Sequence, residues 1–383
     1  MMKQKAIWWI LAFSVLVIGA LAFTAYWTVY VDPFFHYHAP KTDEFYYLLN
    51  NQRSQNDGII KHFEYEGMIA GTSLTENFRT SEAEEMWGCS FVKIPTSGGS
   101  YKEVNDNIST ALKNNQNVRV VIRGLDLLYC ADDKDRMRNE LGDYPTYLLD
   151  NDPFNDVHYL FNRDVIFSRV YPMVCDSRKE GFQGGITSFD AYSNWMGGPY
   201  RFGKNSLYPN GIPRKEAGIP VKMTDEEKER ILGNVHQNIT DLAKKYPNVT
   251  FYYFFTPLSA QWWQDLLEQG LIEKQIETER IVIREILTCK NIRLYSFNNL
   301  TDITTDLNNY KDPYHYGEWI NRVMLRYMRD GKYLLIEENY EDYLAEELKF
   351  YTTFDYTSMN DQEDYENDRD AEEVWEEVIY DYY

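Results

Sequence analysis

A chain of 383 residues that is 44% hydrophobic and 26% charged can bury the core of one large or two ordinary domains, which excludes global disorder, collagen and coiled coil. Its 39 basic and 60 acidic residues leave a net charge of −21, and without a segregated basic patch such a chain is repelled by a phosphate backbone, so nucleic acid is not an expected partner. The acidity is uneven, because residues 337–383 hold 18 acids against Lys349 and Arg369 alone.

After Lys3 and Lys5 no charge occurs until Asp32, leaving Ala6–Val31 uncharged. At about 1.5 Å per residue, roughly 20 helical residues cross a bilayer, and Trp8, Trp9, Tyr26, Trp27 and Tyr30 sit near the two ends, where aromatic rings prefer the interface. Residues 1–31 therefore read as one uncleaved transmembrane helix, inserted in the membrane through 6–31, with the N-terminus cytoplasmic and the body extracytoplasmic. Ala20-Leu-Ala22 offers the competing reading of a cleaved signal peptide, although the apolar run is long for that and continues past the site. Residues 32–60 form a juxtamembrane segment. There, His36-Tyr37-His38 with Asp32 has the side chains of a metal site, but paired histidines beside a membrane helix more often line an interface loop, and no metal or cofactor is assigned. Cys89, Cys130, Cys175 and Cys289 are too widely spaced for a disulfide scaffold or zinc site; one or two disulfides stay open.

From residue 61 to 336, short apolar runs alternate with helical patterns. Residues 68–70, 91–94, 118–122, 249–255 and 292–297 read as strands. The intervening helices cover 103–113, 225–245 with a Thr224/Glu227 capping box, 261–287 and 317–329, the last carrying Trp319, Ile320, Val323, Met324 and Tyr327 on one stripe. The pattern predicts an α/β domain with a doubly wound, mostly parallel five-stranded sheet. Residues 131–222 break the alternation and read as an insertion over the site, with aromatic clusters at Tyr192-Ser-Asn-Trp195 and Pro199-Tyr-Arg-Phe202; a packed subdomain is the alternative. Residues 337–383 read as a solvated acidic tail with a short amphipathic helix over 371–380.

Four places carry chemistry. Gly71-Thr72-Ser73 follows the first strand and opens a helical stretch, so Ser73 sits where backbone amides and the helix dipole stabilise charge on an attacked carbonyl; simple helix capping is the alternative. Asp312-Pro-Tyr-His315 precedes the last helix, and a carboxylate three residues before an imidazole can hold the ring's tautomer while its other nitrogen takes a serine proton. Ser97-Gly98-Gly99-Ser100 and Gly124-Leu125-Asp126 follow the second and third strands. In a parallel sheet all of these loops meet at one rim, where Gly98 or Gly99 can offer an amide to an oxyanion. His62, His158 and His236 lack such a context and read as structural.

This order of a strand-Ser block, a Gly block, a third polar block and a terminal D-x-x-H resembles the SGNH or GDSL-type serine hydrolases and acyltransferases over roughly Gly67 to Arg329. The resemblance implies an SGNH-hydrolase-like, flavodoxin-like fold, Ser73 as nucleophile, His315 as base, Asp312 as its partner, and Gly98 or Gly99 as oxyanion donor. Two blocks depart: Gly-Thr-Ser replaces Gly-Asp-Ser, and Asp126 stands where the family has Asn, so an ionised side chain there cannot donate unless it is protonated or Arg123 substitutes for it. With one anchor, the architecture is further similar to membrane-tethered members acting on cell-envelope polymers, such as the teichoic acid D-alanyl transfer protein and the alginate O-acetyltransferase group. That implies an esterase or O-acyltransferase working through an acyl-serine on a cell-surface polysaccharide or an acylated small molecule, with a membrane acyl-donor protein as a candidate partner. The rival expectation is an inactive member serving as a glycan-binding or assembly module.

Overall fold

The computed structural model describes residues 2–142, 144–150, 152–192 and 201–363. The expected helix over 371–380, the acidic residues 364–370 and residues 193–200, which hold parts of both aromatic clusters, lie outside these residues. The chain divides into two compact units, Met1–Phe63 with Asp143–Ser188, and Glu64–Gly142 with Phe189–Tyr383. The stretch expected as a single insertion, 131–222, is thus shared between them. Residues 143–188 complete a unit with 1–63.

In the first unit, helix α1, Met2–Val31, contains a 28-residue span, Gln4–Val31, whose most apolar 18 residues have a mean hydropathy of 2.4, long and apolar enough to cross a membrane. Its end is built into the folded unit: Thr28 and Val31 are buried, and the Tyr47 hydroxyl donates to the Val31 carbonyl at 2.7 Å. The helix stops where Asp32 takes φ 46°, a conformation that Asp tolerates better than most residues. The buried Asp32 carboxylate then accepts the amides of His36, Tyr37 and His38 at 3.0, 2.7 and 3.1 Å and the Tyr159 hydroxyl at 2.8 Å. A short parallel pairing joins Tyr46–Tyr47 to Gly185–Ile186, and a cavity of about 280 Å³ lies among Tyr47, Arg169, Met173 and Phe182.

The second unit is built on one sheet with strands β1 Gly67–Gly71, β2 Phe91–Pro95, β3 Val120–Leu125, β4 Thr250–Phe255, β5 Ile292–Ser296 and β6 Leu334–Leu335, in the order β2-β1-β3-β4-β5-β6. The first five are parallel. The sheet has six strands rather than five, because β6 pairs antiparallel with β5 through two residues, too few to show any alternation in sequence. β1, β2 and β3 are buried along their whole length, as expected for near-continuous apolar strands with both faces covered.

Helix α2, Tyr101–Asn114, opens with a Ser100/Glu103 capping box. Helix α3, 225–245, carries the expected Thr224/Glu227 box but is interrupted by a π-turn at His236–Thr240. The expected helix 261–287 is two, α4 Ala260–Gln269 and α5 Ile272–Leu287, divided where Gly270 adopts φ 67°, a left-handed stop that glycine takes without steric cost. Helix α6 is Glu318–Asp330. Helix α7, Tyr340–Thr353, falls inside the stretch read as solvated tail. Its acids mask a buried stripe of Tyr340, Leu344, Glu347 and Tyr351, and Tyr351 stacks on Trp263 with ring centroids 4.1 Å apart. The four cysteines are free thiols.

Candidate active site

The chain leaves β1 for β2 on one side and returns to β3 on the other, so a crevice forms beyond the carboxyl ends of β1 and β3, where open α/β sheets bind ligands. The Thr96 amide donates to the Gly71 carbonyl at 2.8 Å, so the loops after β1 and β2 start side by side. Gly71 ends β1 at φ 150°, and a Cβ there would lie 2.6 Å from Thr75 Cγ2; only glycine permits the turn to tuck under the strand.

The expected helix at Ser73 is a three-residue 3-10 turn, Ser73–Thr75, too short to supply a helix dipole. Nor does Thr72 or Ser73 act as a cap: Thr72 makes no capping bond and instead donates its hydroxyl to Asp126 Oδ2. Ser73 Oγ lies 2.8 Å from His315 Nε2, and His315 Nδ1 lies 2.8 Å from both Asp312 carboxylate oxygens. Asp312 also accepts the amides of Tyr314 and His315 at 3.0 Å each. Burial acts to raise the Asp312 pKa, but the hydrogen bonds from the ring and the two amides outweigh it and hold the carboxyl below its ordinary range. Asp312 is therefore a carboxylate, Nδ1–H faces it, and the lone pair of Nε2 faces the serine hydroxyl. Ser73 and His315 are half-buried and reachable from solvent.

Three sets of contacts not anticipated from the sequence hold this geometry. The buried Tyr316 hydroxyl donates to the Leu74 carbonyl at 3.2 Å, tying the histidine loop to the serine turn. Lys93, fully buried in β2, donates to the carbonyls of Glu76, Phe78 at 2.8 Å and Tyr192 at 3.0 Å, while burial lowers its pKa to about 7. A lysine inside a strand run carries that signal: a buried ammonium needs partners. The Ser259 amide and hydroxyl donate to the Pro313 carbonyl at 3.2 and 2.9 Å, fixing the other side of the histidine loop.

The remaining candidates separate. Gly99 donates its amide to the Thr96 carbonyl at 2.8 Å and so has no N–H to offer. Among the described residues, the amides of Ser73 and Gly98 meet no acceptor, and Gly98 has φ 63°. Arg123 does not substitute for a donor: its two terminal nitrogens donate to the Asn238 carbonyl at 2.7 Å and the Tyr101 carbonyl at 3.2 Å. Asn238 lies in the π-turn, whose wider ring of bonds leaves a carbonyl open to an outside donor. Asp126 is 4% exposed; burial pushes its carboxyl up to about 6, against the pull of the Thr72 hydroxyl and of the Arg123 charge.

Among the described residues, no three His, Cys, Asp or Glu side chains converge on a metal-sized point. His38 has both ring nitrogens on the carbonyls of Ala39 and Val29, at 2.7 and 2.9 Å, and His36 Nε2 lies 3.2 Å from Asp156.

No protein-family profile matches the chain, and no curated protein matches it. A solved structure from Streptococcus pneumonia, described provisionally as a platelet activating factor, aligns with a TM-score of 0.37 and 11% identity over 73% of this chain and 90% of that one.

Proposed function

We propose that the protein is a membrane-attached serine esterase or O-acyltransferase that forms an acyl-Ser73 intermediate and passes the acyl group to a hydroxyl of a cell-surface glycan or to water, with transfer to the glycan as the favoured outcome. The observation that carries this reading is the hydrogen-bonded series of Ser73, His315 and Asp312, with 2.8 Å at each link. An isolated serine hydroxyl is a poor nucleophile; one facing a neutral imidazole whose far nitrogen is held by a carboxylate is activated.

In the first half-reaction Ser73 Oγ attacks the acyl carbonyl carbon and its proton passes to His315 Nε2. The resulting oxyanion is received by the Ser73 and Gly98 amides. When the C–O bond to the leaving alcohol breaks, His315 returns the proton to that alcohol, leaving acyl-Ser73 and a neutral imidazole. An incoming sugar hydroxyl or water then repeats the sequence in reverse, losing its proton to His315 and releasing Ser73. Asp312 stabilises the imidazolium at both barriers. No cofactor enters.

A serine-directed phosphonate tests this: the full chain should be labelled at Ser73, and Ser73→Ala should abolish labelling without altering the far-ultraviolet circular dichroism. Undiminished labelling of the alanine variant would overturn the assignment. The second reading, an inactive glycan-binding member, is favoured by Asp126, whose carboxylate is engaged with Thr72 where a donor would strengthen the oxyanion site. Glycan binding by a wild-type chain that never takes up the phosphonate would select it.

Tyr316→Phe separates positioning from chemistry. Loss of the bond to Leu74 leaves the serine turn untied, and a misplacement of a fraction of an ångström should lower kcat for an acyl ester about tenfold while KM stays unchanged. An equal rise in KM would instead assign Tyr316 to substrate binding.

A further inference from the structure

We infer that the first unit does more than follow the membrane helix: residues 154–171 seat it on the bilayer surface as a second, interfacial contact, with lipid as the occupant of that face. The inference rests on α1 crossing a membrane, as the proposed function assumes.

Bilayer depth can be read along α1. From Trp8 to Trp27 is 19 residues, roughly 29 Å of helix at 1.5 Å each, matching the roughly 30 Å hydrocarbon thickness. These two aromatic levels therefore mark the two interfaces, the usual place for such rings. The Thr28 hydroxyl, one residue beyond the outer level, donates to the Leu160 carbonyl at 3.3 Å. Leu160 ends the helix Val157–Leu160, so this helix lies at the height of the outer interface.

Beside the exposed His158, Arg163, Asp164 and Ser168, this stretch exposes large apolar side chains. Phe154, in the turn before that helix, is 87% exposed, Val157 in its first turn 48%, and Phe161 at its C-terminal end 38%. The inward positions are Asp156 and Tyr159, both buried, with Tyr159 bonded to Asp32 just past the end of α1. After a brief turn the chain forms a second helical stretch, and Phe167 and Tyr171, 65% and 63% exposed, share a face at i, i+4. Its anchor is Arg169, whose guanidinium lies 4.8 Å from the centroid of the Phe34 ring. Five large apolar side chains face outward from two helical stretches that pack against α1 near the end where it leaves the hydrocarbon. In water such a cluster is costly; in the headgroup region each side chain finds the environment it prefers. Charge plays little part, because within 154–171 Asp156 and Asp164 balance Arg163 and Arg169. The contact should hold on zwitterionic lipid and resist salt.

The test uses the full chain in phosphatidylcholine vesicles, in a Cys175→Ser background, carrying Phe154→Cys or Phe167→Cys labelled with an environment-sensitive fluorophore. Leu16→Cys, in mid-span, and Ile219→Cys, at a site 89% exposed in the second unit, serve as references. The expected result is blue-shifted emission at 154 and 167, quenching by a nitroxide placed high on the lipid chain, and several-fold weaker quenching by aqueous iodide than at 219, unchanged by salt or by added phosphatidylglycerol. Iodide quenching at 154 and 167 equal to that at 219, with Leu16→Cys still quenched from within the bilayer, would overturn the inference and leave the anchor intact. Shielding from iodide without quenching by the lipid nitroxide would assign the face to a second copy of the chain and also overturn it. A label at 16 that no lipid nitroxide reaches would remove the anchor reading and this inference together.

Discussion

Replacing His315 with alanine is expected to slow acylation of Ser73 by an acyl ester by about 10⁴-fold or more, and Asp312→Asn by about 10³ to 10⁴-fold, with little change in KM. The two losses have different origins. Without the imidazole nothing accepts the Ser73 proton as the carbonyl is attacked. In Asp312→Asn the ring remains, but an amide facing Nδ1 no longer fixes the tautomer that leaves Nε2 as acceptor, nor does it stabilise the imidazolium. The double variant should lose little beyond His315→Ala, since members of one proton-transfer unit are strongly non-additive. Both side chains are partly exposed, at 23% and 38%, so neither substitution should unfold the chain, and unchanged circular dichroism would separate chemistry from folding. Single-turnover rates of chromophore release would decide the matter; a His315→Ala chain acylating at the wild-type rate would remove the imidazole from the mechanism.

The second large effect concerns stability and follows from Asp126. Its carboxyl is raised to about 6 in the folded chain from an ordinary 3.8, so the folded state holds a proton that the unfolded state has released. Stability is therefore lost as pH rises from about 4 to about 6, and above that the full cost persists. Two units at about 1.4 kcal/mol each amount to roughly 3 kcal/mol. Asp126→Asn keeps an oxygen to accept the Thr72 hydroxyl and removes the ionisation, so it should match wild type near pH 4 and exceed it by roughly 3 kcal/mol at pH 8. Asp312 has the opposite sign: its pKa is lowered, so its contribution is present above the ordinary carboxyl range and fades as pH falls through its folded value. Denaturant titrations at pH 4 and pH 8 test the first claim. A difference between Asp126→Asn and wild type that does not change between those two values would show that burial does not perturb this carboxyl.

Local chemistry makes the main lines of the protein legible in its sequence. Twenty-six uncharged residues flanked by aromatic rings give a helix of membrane length whatever follows. Five apolar runs give five parallel strands, because strands covered on both faces can hold little else. Once those strands are parallel, Ser73 after β1 and Asp312 with His315 before α6 reach the same rim, a consequence of topology that chain order alone carries. Local signals fail where partners are distant. The two residues of β6 are a strand only because β5 presents an open edge. Helix α7 hides its apolar stripe among acids until Trp263 lies against Tyr351. Gly99 was a candidate oxyanion donor, and Asp126 one only if protonated or replaced by Arg123; their hydrogen atoms and lone pairs were assigned only when folding brought Thr72, Thr96 and the carbonyls of Tyr101 and Asn238 within reach. A backbone amide's availability depends on every acceptor the fold brings near it, and a carboxyl's charge on how much water the fold removes; neither is written in the order of residues.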